Sequence, residues 1–115
     1  MAKPILKSVT ESKTVGGTPV RVVEFEIPGG VTSPPEFAEF TTELAPQLPG
    51  NTAVFFSGRG PVWGYGMLLH AAHPTPATGT YDPRIGFTVV ATHDEKFNLG
   101  EVIPELKAES APVAA

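Results

Sequence analysis

The sequence predicts one small α/β domain with a mixed sheet, and the pattern of two segments favours that fold class. Residues 18–27 alternate apolar and polar side chains, as a strand with one face in solvent does. Residues 52–56 are apolar without alternation, which is typical of a strand buried on both faces of an α/β sheet. Residues that commonly begin helices occur at Ser33, between these two strands, and at Pro61, after the second strand. The predicted order of elements is β-β-α-β-α-β-β, without an internal repeat.

Each helix and strand has its own local signal. Ser33 caps the first helix, with Pro34 at its first position and Glu36 at its third. Gly64 and Gly66 weaken the second helix, so we expect a neighbouring element to pack tightly against them. The other predicted features are a strand at 3–10, a turn at 14–17, an apolar helix face of Phe37, Phe40 and Leu44, a second helix from Pro61 that Pro74 ends, strands at 77–82 and 87–92, and a last short element with Leu99, Val102, Ile103 and Leu106.

Composition limits the class of protein. Of the 115 residues, 41% are hydrophobic, which is enough for one core; we assign it to residues 1–107, with a disordered tail at 108–115. The net charge is −4, whereas a protein that binds nucleic acid non-specifically normally has a basic surface, so this class of protein is disfavoured. The chain has no cysteine and no apolar run long enough to span a bilayer. These features favour a cytoplasmic protein with neither membrane nor DNA as a partner.

The first candidate site is the loop Ser57-Gly58-Arg59-Gly60, between the buried strand and the second helix. N–H groups at a helix N-terminus bind anions, and glycine lets a phosphate approach closely. Arg59 adds a planar set of donors suited to phosphate. The carboxyl ends of strands in an open α/β sheet are also where ligands lie. A plain tight turn with a surface arginine explains the same residues, and the pattern alone leaves both interpretations open.

All three histidines lie in one stretch of the chain that carries few charges. His70 and His73 are three residues apart, so they share a helix face, and this spacing would suit a metal ion. More often one such histidine packs in the core and the other stabilises the helix C-terminus, and we interpret His70 as structural. His73 precedes a proline at the helix end, so we expect it to be accessible. His93, after the last long strand, is a weaker candidate.

Asp82 and Arg84 flank Pro83, and in an extended segment residues two apart point the same way. An ion pair that stabilises a turn is one interpretation. In the other, Arg84 holds a phosphate while Asp82 binds a metal ion or orients His73. A histidine paired with an aspartate near a phosphate is suited to general acid–base cleavage of a phosphodiester.

Together these motifs resemble a known family. The segments SGRGPVW, LLHAAHPT, YDPRIG and VVATH, in this order between Val20 and Ile103, closely resemble the small ring nucleases of type III CRISPR systems, catalogued as CRISPR-associated protein "x-three". The resemblance implies a Rossmann-like fold of the CRISPR-associated type and a homodimer. By position, His73, Asp82 and Arg84 correspond to the catalytic residues of the family. The segment Ser57 to Gly60 corresponds to its ligand-binding loop.

The resemblance also implies a function. The family binds cyclic tetra-adenylate, the second messenger of the type III effector complex, and cleaves it with the help of manganese, which Asp82 would bind. We therefore expect a manganese-dependent ring nuclease that switches off antiviral signalling. A two-fold dimer doubles the arginines available to four phosphates, and a dimer of dimers around the ligand is a further option. Two alternatives stay open: a sensor that binds the ligand without cutting it, and a manganese-dependent exonuclease that deadenylates RNA.

Overall fold

A mixed β-sheet forms the centre of the domain. The computed structural model describes residues 1–103 and 113–114; six strands from the first range form one sheet, which a seventh, two-residue strand extends. The described residues also contain two α-helices and two short 3-10 helices, at Pro28–Gly30 and Ala45–Gln47. The predicted small mixed α/β domain is thereby confirmed. The elements are β1 (Ile5–Val15), β2 (Thr18–Glu26), α1 (Pro34–Leu44), β3 (Ala53–Ser57), α2 (Val62–Ala71), β4 (Ala77–Asp82), β5 (Gly86–Thr92), β6 (Val102–Ile103) and β7 (Val113–Ala114).

Three parallel strands lie at the centre of the sheet. The order across the sheet is β6-β5-β4-β3-β2-β1-β7. β2, β3 and β4 are parallel to one another, whereas the outer pairs of neighbours are antiparallel. The parallel strands therefore all end at one edge of the sheet, at Glu26, Ser57 and Asp82, which we call the carboxyl edge. The opposite, amino edge is where these strands begin and where β5 ends at Thr92.

The two helices lie on the same face of the sheet. α1 and α2 connect neighbouring parallel strands, and both pack into one apolar cluster with Val54 and Phe56 of β3. On the other face Ala53 and Phe55 belong to a second cluster, which includes Phe97 from the segment after β5. β3 is thus buried on both faces, as its unbroken apolar sequence predicts. A closer similarity to the CRISPR-associated Rossmann fold stays a prediction.

The two helices begin in different ways. At α1 the Ser33 hydroxyl accepts the Glu36 N–H at 3.3 Å, and the Glu36 carboxylate accepts the Ser33 N–H at 3.1 Å, which confirms the predicted capping box. The prediction that Pro61 is the first residue of α2 is wrong by one position. Pro61 has extended backbone, with ψ of 158°, and precedes the helix, while its carbonyl accepts the Tyr65 N–H at 3.1 Å.

β1 is longer than the sequence predicts. It continues beyond residue 10 because it pairs with β2 as a hairpin across Gly16 and Gly17. Both glycines have positive φ, 58° and 96°, so the predicted turn is confirmed at these two residues. Leu106 and the predicted tail at 108–115 lie outside the described residues, except that Val113–Ala114 form β7 against β1. Neither of the two described α-helices has the length and apolar character needed to cross a bilayer.

Three glycines have very different surroundings. A Cβ at Gly64 would lie 2.8 Å from the Phe37 ring of α1, which confirms the tight packing expected there. At Gly66 no atom lies within 4 Å of such a Cβ, so the same expectation is wrong for that position. At Gly79 of β4 the added Cβ would overlap the backbone carbonyl oxygen of Thr88 on β5. The β4–β5 pairing therefore depends on a residue without a side chain.

We predict that Gly79→Ala destabilises the fold and that Gly66→Ala does not. The first change forces two paired strands apart and should lower the free energy of unfolding by about 1–3 kcal/mol or more. The second adds a methyl group in open space within a helix and should raise it by about 0.5–1 kcal/mol. Thermal unfolding of both variants beside the wild type measures the difference. A Gly79→Ala protein that melts with the wild type would contradict the described β4–β5 packing.

Candidate functional site

The glycine loop rests directly on a buried aromatic ring. Ser57 ends β3, and the next four residues lead to α2 across the side chain of Phe25, which is 1% exposed. A Cβ at Gly58 would lie 2.5 Å from the Phe25 carbonyl oxygen, and one at Gly60 would lie 2.9 Å from the Phe25 ring. Because a side chain at either position would collide with Phe25, the loop needs glycine there to follow this path.

Tyr65 of α2 fixes the same loop from its other side. Its hydroxyl donates a hydrogen bond to the Gly58 carbonyl oxygen at 2.6 Å, and its ring packs 5.7 Å from that of Phe25. Burial raises the pKa of Tyr65 above the ordinary value, so the phenol keeps its proton at neutral pH. The loop is therefore held in place by a neutral donor to its Gly58 carbonyl and by ring packing. Neither contact uses a backbone N–H group of the loop.

The first turn of α2 presents donors without a cap. No side chain in the described part of the chain caps the helix, and its first turn contains no acidic residue, in contrast to the capping box of α1. The N–H groups of Val62, Trp63 and Gly64 have no partner within the helix, as at any helix N-terminus. Arg59 is exposed and makes no ion pair with the other described residues. Free N–H groups beside an unpaired guanidinium favour an anion.

Arg59 lies where two grooves meet. The first, which we call the carboxyl-edge groove, has a volume of about 580 Å³ and contains Ser57, Gly58 and Tyr81 in its wall. The second, the tryptophan groove, has a volume of about 500 Å³ and is lined by Gly60 and Trp63 among others. All four residues of the predicted loop therefore face one groove or the other. Their placement at the carboxyl edge agrees with the position predicted from the sequence.

The carboxyl-edge groove also contains charged residues that the sequence did not indicate. Lys7, Glu24 and Glu26 line it, and the Lys7 ammonium lies 3.9 Å from a Glu24 carboxylate oxygen. Glu24 also accepts a hydrogen bond from the Ser8 hydroxyl at 3.0 Å. No local motif marks these residues, because they reach the groove through the pairing of β1 with β2. Two carboxylates make this groove less favourable to a phosphate than the side of the loop that faces Trp63.

Asp82 and Arg84 form the ion pair of a turn. The Asp82 carboxylate accepts the Arg84 backbone N–H at 2.9 Å and the Arg84 side chain at 3.0 and 3.2 Å. The turn is closed by the Ile85 N–H, which donates to the Asp82 carbonyl. These hydrogen bonds from Arg84 lower the pKa of Asp82, and Asp82 in turn raises the pKa of Arg84. The structural interpretation of this motif thus accounts for both oxygens of the carboxylate.

The histidines gather at the amino edge. The rings of His73 and His93 are perpendicular, with centroids 5.0 Å apart, and together with His70 they line a small cavity of about 60 Å³. His73 is exposed, as predicted, but His70 is exposed as well, so the expectation that one histidine of this pair packs in the core is wrong. The fully buried Thr78 also lines the cavity, and its hydroxyl has no hydrogen-bond partner among the described residues. His93 was the weaker candidate, yet it is the ring that contacts His73.

The expected pairing of His73 with Asp82 does not occur within one chain. His73 follows α2 at the amino edge, whereas Asp82 ends β4 at the carboxyl edge. β4 lies between them, and an extended strand of this length separates its ends by about 16 Å. The helix likewise separates His73 from the glycine loop by about 13 Å. One chain therefore brings Ser57–Gly60 near Asp82 and Arg84, and leaves His73 on the far side.

The described residues of one chain do not fit a manganese site at Asp82. No three histidine or carboxylate side chains converge there or elsewhere in residues 1–103. Both Asp82 oxygens accept hydrogen bonds from Arg84, and a hard cation needs several oxygen donors. A manganese ion at Asp82 would need ligands from outside this chain, and its binding stays a prediction.

The fold and the loop define a small α/β protein with an anion-type loop at the carboxyl edge of its sheet. Residues 30–104 match the family of the CRISPR-associated protein Cas_csx3, and the chain belongs to this family. An uncharacterized protein of Aquifex aeolicus (strain VF5) is 48% identical over 54 residues. These residues are 46% of this chain and 49% of that protein, so the match covers about half of each. The CRISPR association that the motifs indicated is confirmed.

We predict that Tyr65→Phe loosens the loop without unfolding the domain. Loss of the hydrogen bond to Gly58 should lower the free energy of unfolding by about 0.5–1.5 kcal/mol. Because the folded pKa of Tyr65 is raised, its stabilising effect is present below the unfolded pKa of about 10 and is lost as the pH rises through the folded pKa. Denaturant unfolding of both proteins at neutral and alkaline pH measures this.

Two outcomes would contradict the assigned role of Tyr65. One is equal stability of wild type and Tyr65→Phe at neutral pH. The other is a stability difference that persists unchanged at a pH where the phenol is ionised. Hydrogen exchange of the Gly58–Gly60 amides supplies a local readout, and we expect it to be faster in the variant.

Proposed function

We propose that this protein is a phosphodiesterase that binds cyclic tetra-adenylate at the Ser57–Gly60 loop and opens the ring, which ends the signal of a type III CRISPR system. The observation that carries the proposal is the start of α2, which no side chain among the described residues caps, beside Arg59, which forms no ion pair with them. Membership of a CRISPR-associated family supports the cellular setting. The ring-cleaving activity and the ligand follow from the resemblance of the motifs.

Phosphate binding is the step that the loop is best suited to perform. A phosphate at the start of α2 would accept hydrogen bonds from the free N–H groups and from the planar Arg59 guanidinium. The loop keeps this shape before the ligand arrives, because Phe25 and Tyr65 already fix its path. A preformed site loses less conformational entropy on binding than a flexible loop would. The Arg84 side chain is 86% exposed and forms an ion pair with Asp82. It would bind a phosphate only if it left Asp82 or contacted both groups at once.

Proton transfer requires a second copy of the chain if His73 performs it. His73 and the loop lie at opposite edges of the sheet, so they cannot reach one phosphodiester together within one protomer. A dimer, or a dimer of dimers around the ligand, would bring the amino edge of one copy to the loop of another. His73 would then exchange a proton with the attacking or leaving oxygen, with His93 against its ring.

A sensor that binds without cutting is the second candidate function. The separation of His73 from Asp82 within one chain favours it, since the binding loop is complete in one protomer and the catalytic pair is not. Activity toward linear oligo-adenylate has no comparable support in the geometry. Wild-type protein incubated with labelled cyclic tetra-adenylate, with and without manganese, separates cleavage from binding alone, and linear oligo-adenylate serves as the substrate control.

We predict that, at sub-saturating ligand, Arg59→Ala and His73→Ala each lose cleavage and that a mixture of the two regains part of it. Arg59→Ala should weaken binding by about 1.5–3 kcal/mol, whereas His73→Ala should retain binding and lose about 10²–10⁴ in rate. If each site takes Arg59 from one copy and His73 from another, freely exchanging dimers should recover up to about a quarter of the wild-type activity.

Lys3→Ala is the matched control for the lost charge. Lys3 bonds Glu43 of α1 and lines neither groove, so this variant should bind and cleave like the wild type. A mixture no more active than the mean of its two components would rule out a site shared between copies. Wild-type protein that binds cyclic tetra-adenylate and leaves it intact would establish the sensor instead.

A further inference from the structure

The single tryptophan of the chain is held in place beside the loop. Trp63 lies in the first turn of α2, and its indole packs against the Phe37 ring, with centroids 5.8 Å apart and planes at 79°. Phe37 itself is fully buried, so one side of the indole is anchored to the core. Trp63 is 41% exposed, so part of the indole is accessible to a ligand. A large aromatic surface fixed in this way loses little conformational entropy when a ligand covers it.

The tryptophan groove combines an aromatic wall with a single positive charge. Trp63, Pro61 and Val31 supply apolar surface, and Arg59 is the one charged residue among those described that line the groove. The Thr32 side chain also lines it, and its buried hydroxyl has no hydrogen-bond partner among the described residues. At about 500 Å³, the groove has a size typical of small-molecule sites.

Tyr81 is the other half-exposed aromatic residue near the loop, and its surroundings are less suitable. It lines the carboxyl-edge groove, where Glu24 and Glu26 also lie. A nucleotide placed there would bring its phosphate close to two carboxylates. The tryptophan groove has no acidic residue in its described wall, and Arg59 of the loop lines it together with Trp63.

We propose that Trp63 is a stacking platform for one adenine base of the bound oligo-adenylate. The base lies against the open side of the indole while the adjoining phosphate is held by Arg59 and the start of α2. This inference rests on the proposed function and names the residue that recognises the base. Unpaired bases are commonly bound by stacking on aromatic side chains, and a nearby arginine adds attraction for the phosphate and the base plane.

The tryptophan fluorescence of the protein comes from Trp63 alone, because it is the only tryptophan in the sequence, so this signal can report ligand binding at the indole. Titration of wild-type protein with cyclic tetra-adenylate should quench the indole fluorescence in a saturable manner. Ribose 5-phosphate, which has the phosphate and no base, should leave the fluorescence unchanged at the same concentration. The comparison isolates the base from the phosphate, which the loop would bind in either case.

Variants at Trp63 separate stacking from packing, with affinity measured by direct binding of labelled cyclic tetra-adenylate. Trp63→Leu keeps an apolar side chain against Phe37 and removes the stacking surface, so we expect binding to be weaker by about 5- to 150-fold. Trp63→Phe keeps an aromatic face and should retain most of the affinity. Leu99→Ala removes an apolar side chain that is 72% exposed and lines neither groove, and should bind like the wild type.

The possible outcomes distinguish this inference from the proposed function. Tight binding by the wild type and equal affinity of Trp63→Leu would overturn the stacking role and leave the proposed function intact. No binding of any adenylate by the wild type would overturn the proposed function, and the stacking role with it. Fluorescence that changes with protein concentration and not with ligand would show that a second copy covers the indole, and would also overturn the proposal.

Discussion

The packing of Phe25 beneath the glycine loop is the contact on which the rest of the site depends. Its ring contacts those of Phe37, Phe40 and Tyr65 at centroid distances of 5.7–6.0 Å, so it joins β2 to both helices. The same ring fills the space where side chains at Gly58 and Gly60 would stand. The packing of the core and the shape of the loop therefore depend on the same residue. The aromatic cluster that stabilises the helical layer also determines the path of the loop, and so places Arg59 and the start of α2 beside the two grooves.

The direction of the parallel strands divides the candidate groups between two edges. The loop, Asp82 and Arg84 lie at the carboxyl edge because β3 and β4 end there, and His73 and His93 lie at the amino edge because α2 runs back along the sheet. Under the proposed function, binding would be a property of one chain. Acid–base catalysis by His73 would be a property of an assembly, in keeping with a proposed ligand that has rotational symmetry.

The sequence predicted the elements better than their arrangement. Alternation in β2, the apolar run of β3 and the box at Ser33 are local signals, and all three are confirmed. A pairing of Asp82 with His73 was one of the alternatives for Asp82, although the predicted strand at 77–82 already lay between the two residues and implied their separation. The tryptophan groove was beyond local reasoning, because Val31 and Trp63 meet only after β2 and β3 pair side by side.

The proposed binding of cyclic tetra-adenylate phosphates by the loop and the start of α2 can be tested directly. Amide chemical shifts of isotopically labelled protein, followed during titration with this ligand, test it residue by residue. We expect the largest shifts to fall on Gly58–Gly60, on Val62–Gly64 and on the Trp63 indole N–H. Unchanged resonances at these positions while the ligand is bound, with shifts confined to residues elsewhere in the domain, would contradict it.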